Sequence, residues 1–301
     1  MMRAALLLMT LGLLACGETT PASTLAAPGS STPAPLLPPG LSYPWLSQPG
    51  PVSQTVAARF PAPAGCRRVA VVAGSWGEWL RWLPLRPAGT PARLYNGQLK
   101  RPQEVVAAVV DIDPGTQDLQ QCADAVIRLR AEYLFSRNPN QIHFHLTTGY
   151  DFWFSDFVAG KTFKVAGEEI TPASRPAEAP THAALARYLV PTFGYAGTLS
   201  LSRELTPKPL AAVQPGDVLI HGGAPGHAVL VVDVAENPTT HQKFMLLAQS
   251  YMPAQNIHVL KNIDSQVTAL RGGAWFAVPD PTETRFETPE WTFKREELGR
   301  F

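Results

Sequence analysis

The chain has 301 residues, 45% of them hydrophobic and only 16% charged, with 25 Lys and Arg against 24 Asp and Glu. A net charge of +1 leaves no basic excess to neutralise phosphates, which excludes nucleic acid as an expected partner. Three cysteines are too few for a disulfide scaffold, the apolar fraction argues against disorder throughout, and 30 prolines, about twice the usual ~5%, announce linkers and turns.

Met1-Met2-Arg3 is a short basic start, and the apolar run from Ala4 to Leu14 leads into Leu13-Leu14-Ala15-Cys16-Gly17. The run is shorter than the ~20 residues a membrane span needs and reads as a secretory signal, residues 1–16. Its Leu-Leu-Ala-Cys end resembles the lipobox of bacterial lipoprotein signal peptides, which implies lipidation of Cys16, attachment to a bacterial membrane through that anchor and location in the cell envelope. Residues 17–58 hold nine prolines among Ser, Thr, Ala and Gly, with Glu18 the only charge. Such a segment cannot bury a core and is expected to be a disordered tether, spanning roughly 35 Å as a flexible coil. Tyr43-Pro44-Trp45-Leu46 is an apolar island within it, free to dock or to stay exposed.

Residues 59–301 are expected to form one α+β domain. Cys66 to Val72 is strand-like, and Ser75 to Leu83 places Trp76, Trp79, Leu80 and Leu83 at helical spacing. Val105 to Ile112 suits a buried strand. Asp118 and Gln121 fit a capping box for a helix whose apolar stripe is Leu119, Cys122, Val126, Leu129 and Tyr133. A short strand at Ile142 to Thr147 and a helix from Ala183 to Val190, stopped by Pro191, follow. The last third is β-rich: Asp217 to His221, His227 to Val234 and Phe244 to Gln249, the first two joined by Gly222-Gly223-Ala224-Pro225-Gly226. No internal repeat is present.

A thiol at the start of a helix meets the positive end of the helix dipole, which favours thiolate; Cys122 has this position but also lies on an apolar stripe, where a core cysteine is the plain reading. The segment Pro215-Gly216-Asp217 through Gly226-His227-Ala228-Val229-Leu230-Val231-Val232-Asp233 resembles the second half of papain-like cell-wall hydrolases of the NlpC and CHAP types. In those families Gly-Asp opens one strand and the base histidine begins the next. The resemblance implies a papain-like core, an antiparallel sheet packed on the helix that carries the cysteine. Within it Cys122 would be the nucleophile, His227 the base and Gln249 the orienting residue, without metal or cofactor. Gln121-Cys122-Ala123-Asp124 stands where those families usually carry Asp-Cys-Ser. Expected substrates are amide bonds of peptides or of cell-wall stem peptides. A second resemblance, carried by Gly74 to Leu85, Leu94-Tyr95-Asn96-Gly97, Asp111-Ile112-Asp113, Asp118 to Asp124, Tyr195 to Ser200 and Ala248 to Gln255, is to bacterial lipoproteins grouped as a domain of unknown function.

Other constellations compete. A non-catalytic envelope module of the same fold would bury Cys122 and bind peptidoglycan or a partner protein. His143 and His145 point to one face of a strand and would hold a metal with His221 or His258. Cys66 and Cys122 would form a disulfide in an oxidising compartment. Trp76, Trp79 and Trp82 suit core packing better than a sugar platform, and Asp111, Asp113 and Asp118 suit turns and caps better than a calcium loop.

Overall fold

The computed structural model describes residues 37–48, 50–167, 169–263 and 270–301. Cys16, the signal segment and the tether up to residue 36 lie outside the described residues. The chain divides into Met1–Pro33 and Ala34–Phe301, and every described residue belongs to the second unit.

The folded part reaches upstream of Arg59. The apolar island docks: Tyr43 donates its hydroxyl to Trp79 O at 3.0 Å and Trp45 Nε1 donates to Asp111 O at 2.5 Å. Helices α1 (Val56–Arg59) and α2 (Trp76–Arg81) flank the two-residue strand β1 (Arg67–Arg68). That strand is shorter than the Cys66 to Val72 run, because past Arg68 the chain turns into α2, whose N-cap Ser75 accepts Glu78 N–H at 3.3 Å. Strand β2 (Val106–Val109) precedes the long helix α3 (Cys122–Arg137). The hairpin β3 (His143–His145) and β4 (Asp151–Trp153), helix α4 (Phe154–Val158), the hairpin β5 (Lys161–Ala166) and β6 (Glu169–Ser174), and helices α5 (His182–Tyr195) and α6 (Thr198–Glu204) make the middle third. The last third holds β7 (Thr206–Pro207), β8 (Val218–His221), β9 (His227–Glu236), β10 (Lys243–Gln249), β11 (His258–Leu260), β12 (Trp275–Ala277), the hairpin β13 (Arg285–Thr288) and β14 (Trp291–Lys294), and β15 (Leu298–Arg300).

The architecture is mixed α and β with an antiparallel sheet of nine strands. Its path runs β2-β11-β10-β9-β8-β15-β7, with β1 on β9 and β12 on β10. Strand β9 is buried along nearly its whole length and divides two cores. Ala228, Leu230 and Val232 face one core with Val126 and Leu129 of α3, while Val229 and Val231 face the other with Phe286 and Phe293 of the C-terminal hairpin. A bulge opposite Leu246 and Leu247 then inverts the alternation, so Val234 joins the second core and Ala235 the first. Asp233 emerges there fully buried, held by Arg68 at 2.5 Å and Arg81 at 2.8 Å.

Two expectations are corrected locally. The capping box of α3 is made one turn later than Asp118 and Gln121: Gln121 is the N-cap, and Asp124 Oδ2 accepts its N–H at 3.0 Å. Asp118 is spent across the fold instead, accepting Ala254 N–H at 2.6 Å and Gln121 Nε2 at 3.1 Å. Helix α5 does not stop at Pro191 but runs through it to Tyr195. The carbonyl that Pro191 cannot serve belongs to Arg187, an exposed residue, where solvent is able to stand in for the missing donor.

Candidate active site

Cys122 is the first residue of α3, and its sulfur faces the backbone N–H groups of Ala228, Ala123 and Cys122 itself. Ala228 is the residue after His227, so the helix start and the start of β9 meet at this sulfur. Burial pushes the thiol above its ordinary value; the three N–H groups pull it down without prevailing, and Asp124 adds to the rise. The dipole argument is right in sign and loses to desolvation.

His227 is 1% exposed, with Tyr251, Trp291 and Phe293 around its ring at centroid distances of 4.9, 5.3 and 6.0 Å. Burial lowers it to about 4, against smaller upward effects of Gln249 and Glu290, while His258 adds to the fall. The resting pair is therefore a neutral thiol and a neutral imidazole.

Which ring nitrogen carries the proton follows from a chain of partners. Gln249 Nε2 donates to Glu290 Oε2 at 2.6 Å, and a carboxylate only accepts, so the Gln249 amide has a single allowed orientation. Its Oε1 then faces His227 Nε2 at 2.9 Å and must accept from it. The proton sits on Nε2, and Nδ1 keeps its lone pair. Behind Gln249, Glu290 Oε1 takes the buried ammonium of Lys100 at 2.7 Å, and His258 Nε2 lies 3.9 Å from Oε2. Burial alone would raise the Glu290 carboxyl; His258 and Lys100 together reverse this and leave it below its ordinary value.

Cys122 and His227 line one cleft of about 510 Å³, together with Asp124, Thr198, Tyr251 and Trp291. Two polar atoms there are buried without a partner, Asp124 Oδ1 and Trp291 Nε1. Asp124 is a carboxyl pushed by burial up to about 8, against the pull of backbone N–H groups, and is neutral at pH 7. The glycine of the Gly-His pair has a steric reason. A Cβ on Gly226 would run into Thr198 Oγ1 and Gly223 O and lie 2.9 Å from His221 O. In the Gly-Asp pair, Gly216 has φ +98°, with Trp76 where a side chain would go. Asp217 turns out to be a clamp: 1% exposed, it pairs with Arg300 Nε at 2.6 Å and accepts Gln214 N–H at 2.9 Å.

The family described as Domain of unknown function (4846) matches residues 56–300, which cover most of the chain and all the site residues just named. The chain belongs to this family. No curated protein and no solved structure matches it. In this family member the three residues expected from sequence divide into two that line the cleft, Cys122 and His227, and one behind it, Gln249. Glu290, Lys100, Asp124 and Trp291 escaped the sequence reading. Glu290 and Lys100 lie in loop-like stretches with no periodic signal, 190 residues apart in the chain.

The rival constellations resolve as follows. Cys66 and Cys122 are both free, so the disulfide is not formed. His221 is bound to Glu297 at 2.7 Å and His258 Nδ1 lies 3.0 Å from Asn256 O, and among the described residues neither belongs to the ligand group that gathers at His143 and His145. Trp79 is wholly buried and stacks on Trp76 at 5.4 Å, within the core cluster that Trp82 also packs against. Asp113 accepts Gly115 N–H at 2.8 Å, a turn role. Among the described residues, no helix is long and apolar enough to cross a membrane.

Proposed function

We propose that the protein is a papain-like cysteine hydrolase, anchored in the cell envelope through Cys16 and cleaving amide bonds of peptides or of peptidoglycan stem peptides. The observation that carries this reading is the Glu290–Gln249–His227 chain, which leaves His227 Nδ1 unprotonated beside the cleft that Cys122 lines. A base so oriented takes the Cys122 thiol proton as sulfur attacks the carbonyl carbon. The imidazolium then gives that proton to the leaving amine as the C–N bond breaks, and a thioester remains. Water, deprotonated by the same nitrogen, cleaves the thioester, releasing the acid and restoring the thiol. Backbone N–H groups at the start of α3 are the donors available to the tetrahedral oxyanion.

The amide preference rests on the resemblance of the Gly-Asp to Gly-His segment to the NlpC- and CHAP-type hydrolases. The neutral state of both Cys122 and His227 favours a second reading, a non-catalytic module of the same fold that binds peptidoglycan or a partner through this cleft. Incubation with purified peptidoglycan and with a peptide library, followed by detection of newly released amines, separates them. Hydrolysis lost in both Cys122→Ala and His227→Ala supports the enzyme. Binding without release, unchanged in Cys122→Ala, supports the module.

A further inference from the structure

The outer face of the β3–β4 hairpin carries a group of side chains that the cleft does not use. Antiparallel register sets His143 opposite Trp153 and His145 opposite Asp151, so all four stand on one face, while Phe144 and Phe152 point into the core. His143, His145 and Asp151 each bring one metal-ligating atom to within 4.8 Å of the others. His143 Nδ1 is 2.9 Å and His145 Nε2 4.0 Å from the same oxygen, Asp151 Oδ1. Ligand atoms of a tetrahedral zinc lie about 3.3 Å apart, given bond lengths near 2.0–2.1 Å, so these two spans bracket the required value.

Asp151 and His143 are also held from behind, and His145 has a carboxylate nearby. Trp153 Nε1 donates to Asp151 Oδ2 at 2.7 Å, which turns Oδ1 toward the imidazoles. The Trp153 ring stacks on His143 at 4.0 Å with an interplanar angle of 10°. Glu204, from α6, lies 3.6 Å from His145 Nδ1, an atom buried without a hydrogen-bond partner. A carboxylate behind the far nitrogen of an imidazole is the usual support of a metal-ligating histidine, because it fixes the tautomer that presents the other nitrogen. Surface ion pairs do not by themselves require supports of this kind.

We propose that His143 Nδ1, His145 Nε2 and Asp151 Oδ1 form a binding site for a divalent transition metal of the zinc type, with Glu204 as the positioning carboxylate and one coordination position open to solvent. Two imidazoles and one carboxylate suit Zn²⁺ over Ca²⁺ or Mg²⁺, which prefer oxygen alone. The site shares no lining residue with the Cys122 cleft and stands or falls independently of the hydrolase reading.

The test uses the full chain, stripped with chelator and titrated with Zn²⁺ alone by calorimetry, with Co²⁺ absorption as the second readout. One equivalent is expected, with Co²⁺ ligand-field bands and no thiolate charge-transfer band. His143→Ala and Asp151→Asn should abolish binding, Glu204→Gln should weaken it by about 10–100-fold, and Cys122→Ser should leave it unchanged. Asp151→Asn keeps the shape and the Trp153 contact, and far-UV circular dichroism checks that each variant is folded. Absence of stoichiometric binding by the wild type overturns the proposal, as does binding that survives both His143→Ala and Asp151→Asn or is lost in Cys122→Ser.

Discussion

Replacing Glu290 by Gln leaves the size of the side chain almost unchanged and breaks the logic behind His227. In the native chain two donors, Lys100 Nζ at 2.7 Å and Gln249 Nε2 at 2.6 Å, converge on one carboxylate. Gln at this position offers a single acceptor oxygen, and the ammonium takes it as the stronger donor. Its NH₂ group then faces Gln249, which must flip and present its own NH₂ to His227. The proton leaves Nε2 and moves to Nδ1, the nitrogen that the proposed mechanism needs as a base. Lys100, 2% exposed, loses its counter-charge at the same time. Removing one partner of a buried ion pair costs about 3–5 kcal/mol. In a domain of this size each kcal/mol shifts Tm by about 2–4 °C, so E290Q should melt about 6–20 °C lower. If the proposed hydrolase reading holds, loss of a correctly oriented base should reduce hydrolysis by about 10²–10⁴-fold. Thermal melts by circular dichroism measure the first effect, and ¹⁵N chemical shifts of the His227 ring report the tautomer directly. An E290Q variant that melts within about 2 °C of wild type and keeps the proton on Nε2 refutes the chain of partners derived from these distances.

Three further outcomes are expected. Iodoacetamide labelling of Cys122, followed on its own peptide by mass spectrometry, should keep accelerating with pH above neutrality, because burial raises the thiol; a plateau near neutral pH would show a preformed thiolate instead. The Asp124 carboxyl, shifted from 3.8 to about 8, binds a proton in the folded state that the unfolded chain has released, so its contribution to stability falls as pH rises from about 4 to about 8. Asp124→Asn should therefore gain in Tm relative to wild type across that window and level off above it, and a difference independent of pH would contradict the assignment. Asp217→Ala removes the partner of Arg300 and the acceptor of Gln214 N–H; urea unfolding should show a loss of about 2–3 kcal/mol, and an unchanged midpoint would argue against the clamp.

What could be read from the residues is what depends on local pattern. The apolar runs at Val218, His227 and Phe244 became β8, β9 and β10, because alternating or continuous apolar strands have few ways to be buried. The α3 helix was readable from its stripe, although Asp118 proved to bind Ala254 N–H and the Gln121 side chain and to cap no N–H of the helix, since a capping signal cannot distinguish neighbours in sequence from neighbours in space. Pro191 misled for a related reason: its cost depends on whether the orphaned carbonyl sees water, which is a property of the fold.

By itself the sequence determined the mixed α and β composition, the Gly-Asp and Gly-His turns and Cys122 at a helix start, all of them set by side chains within a few positions of one another. Only the tertiary structure decided the rest. It placed Gln249 behind His227, brought Lys100 from 190 residues away to Glu290, gave His143 and His145 Asp151 as a third partner in place of His221 or His258, and raised the Cys122 thiol where the helix dipole alone would lower it. Burial and long-range pairing set protonation, and neither is encoded at any one stretch of chain.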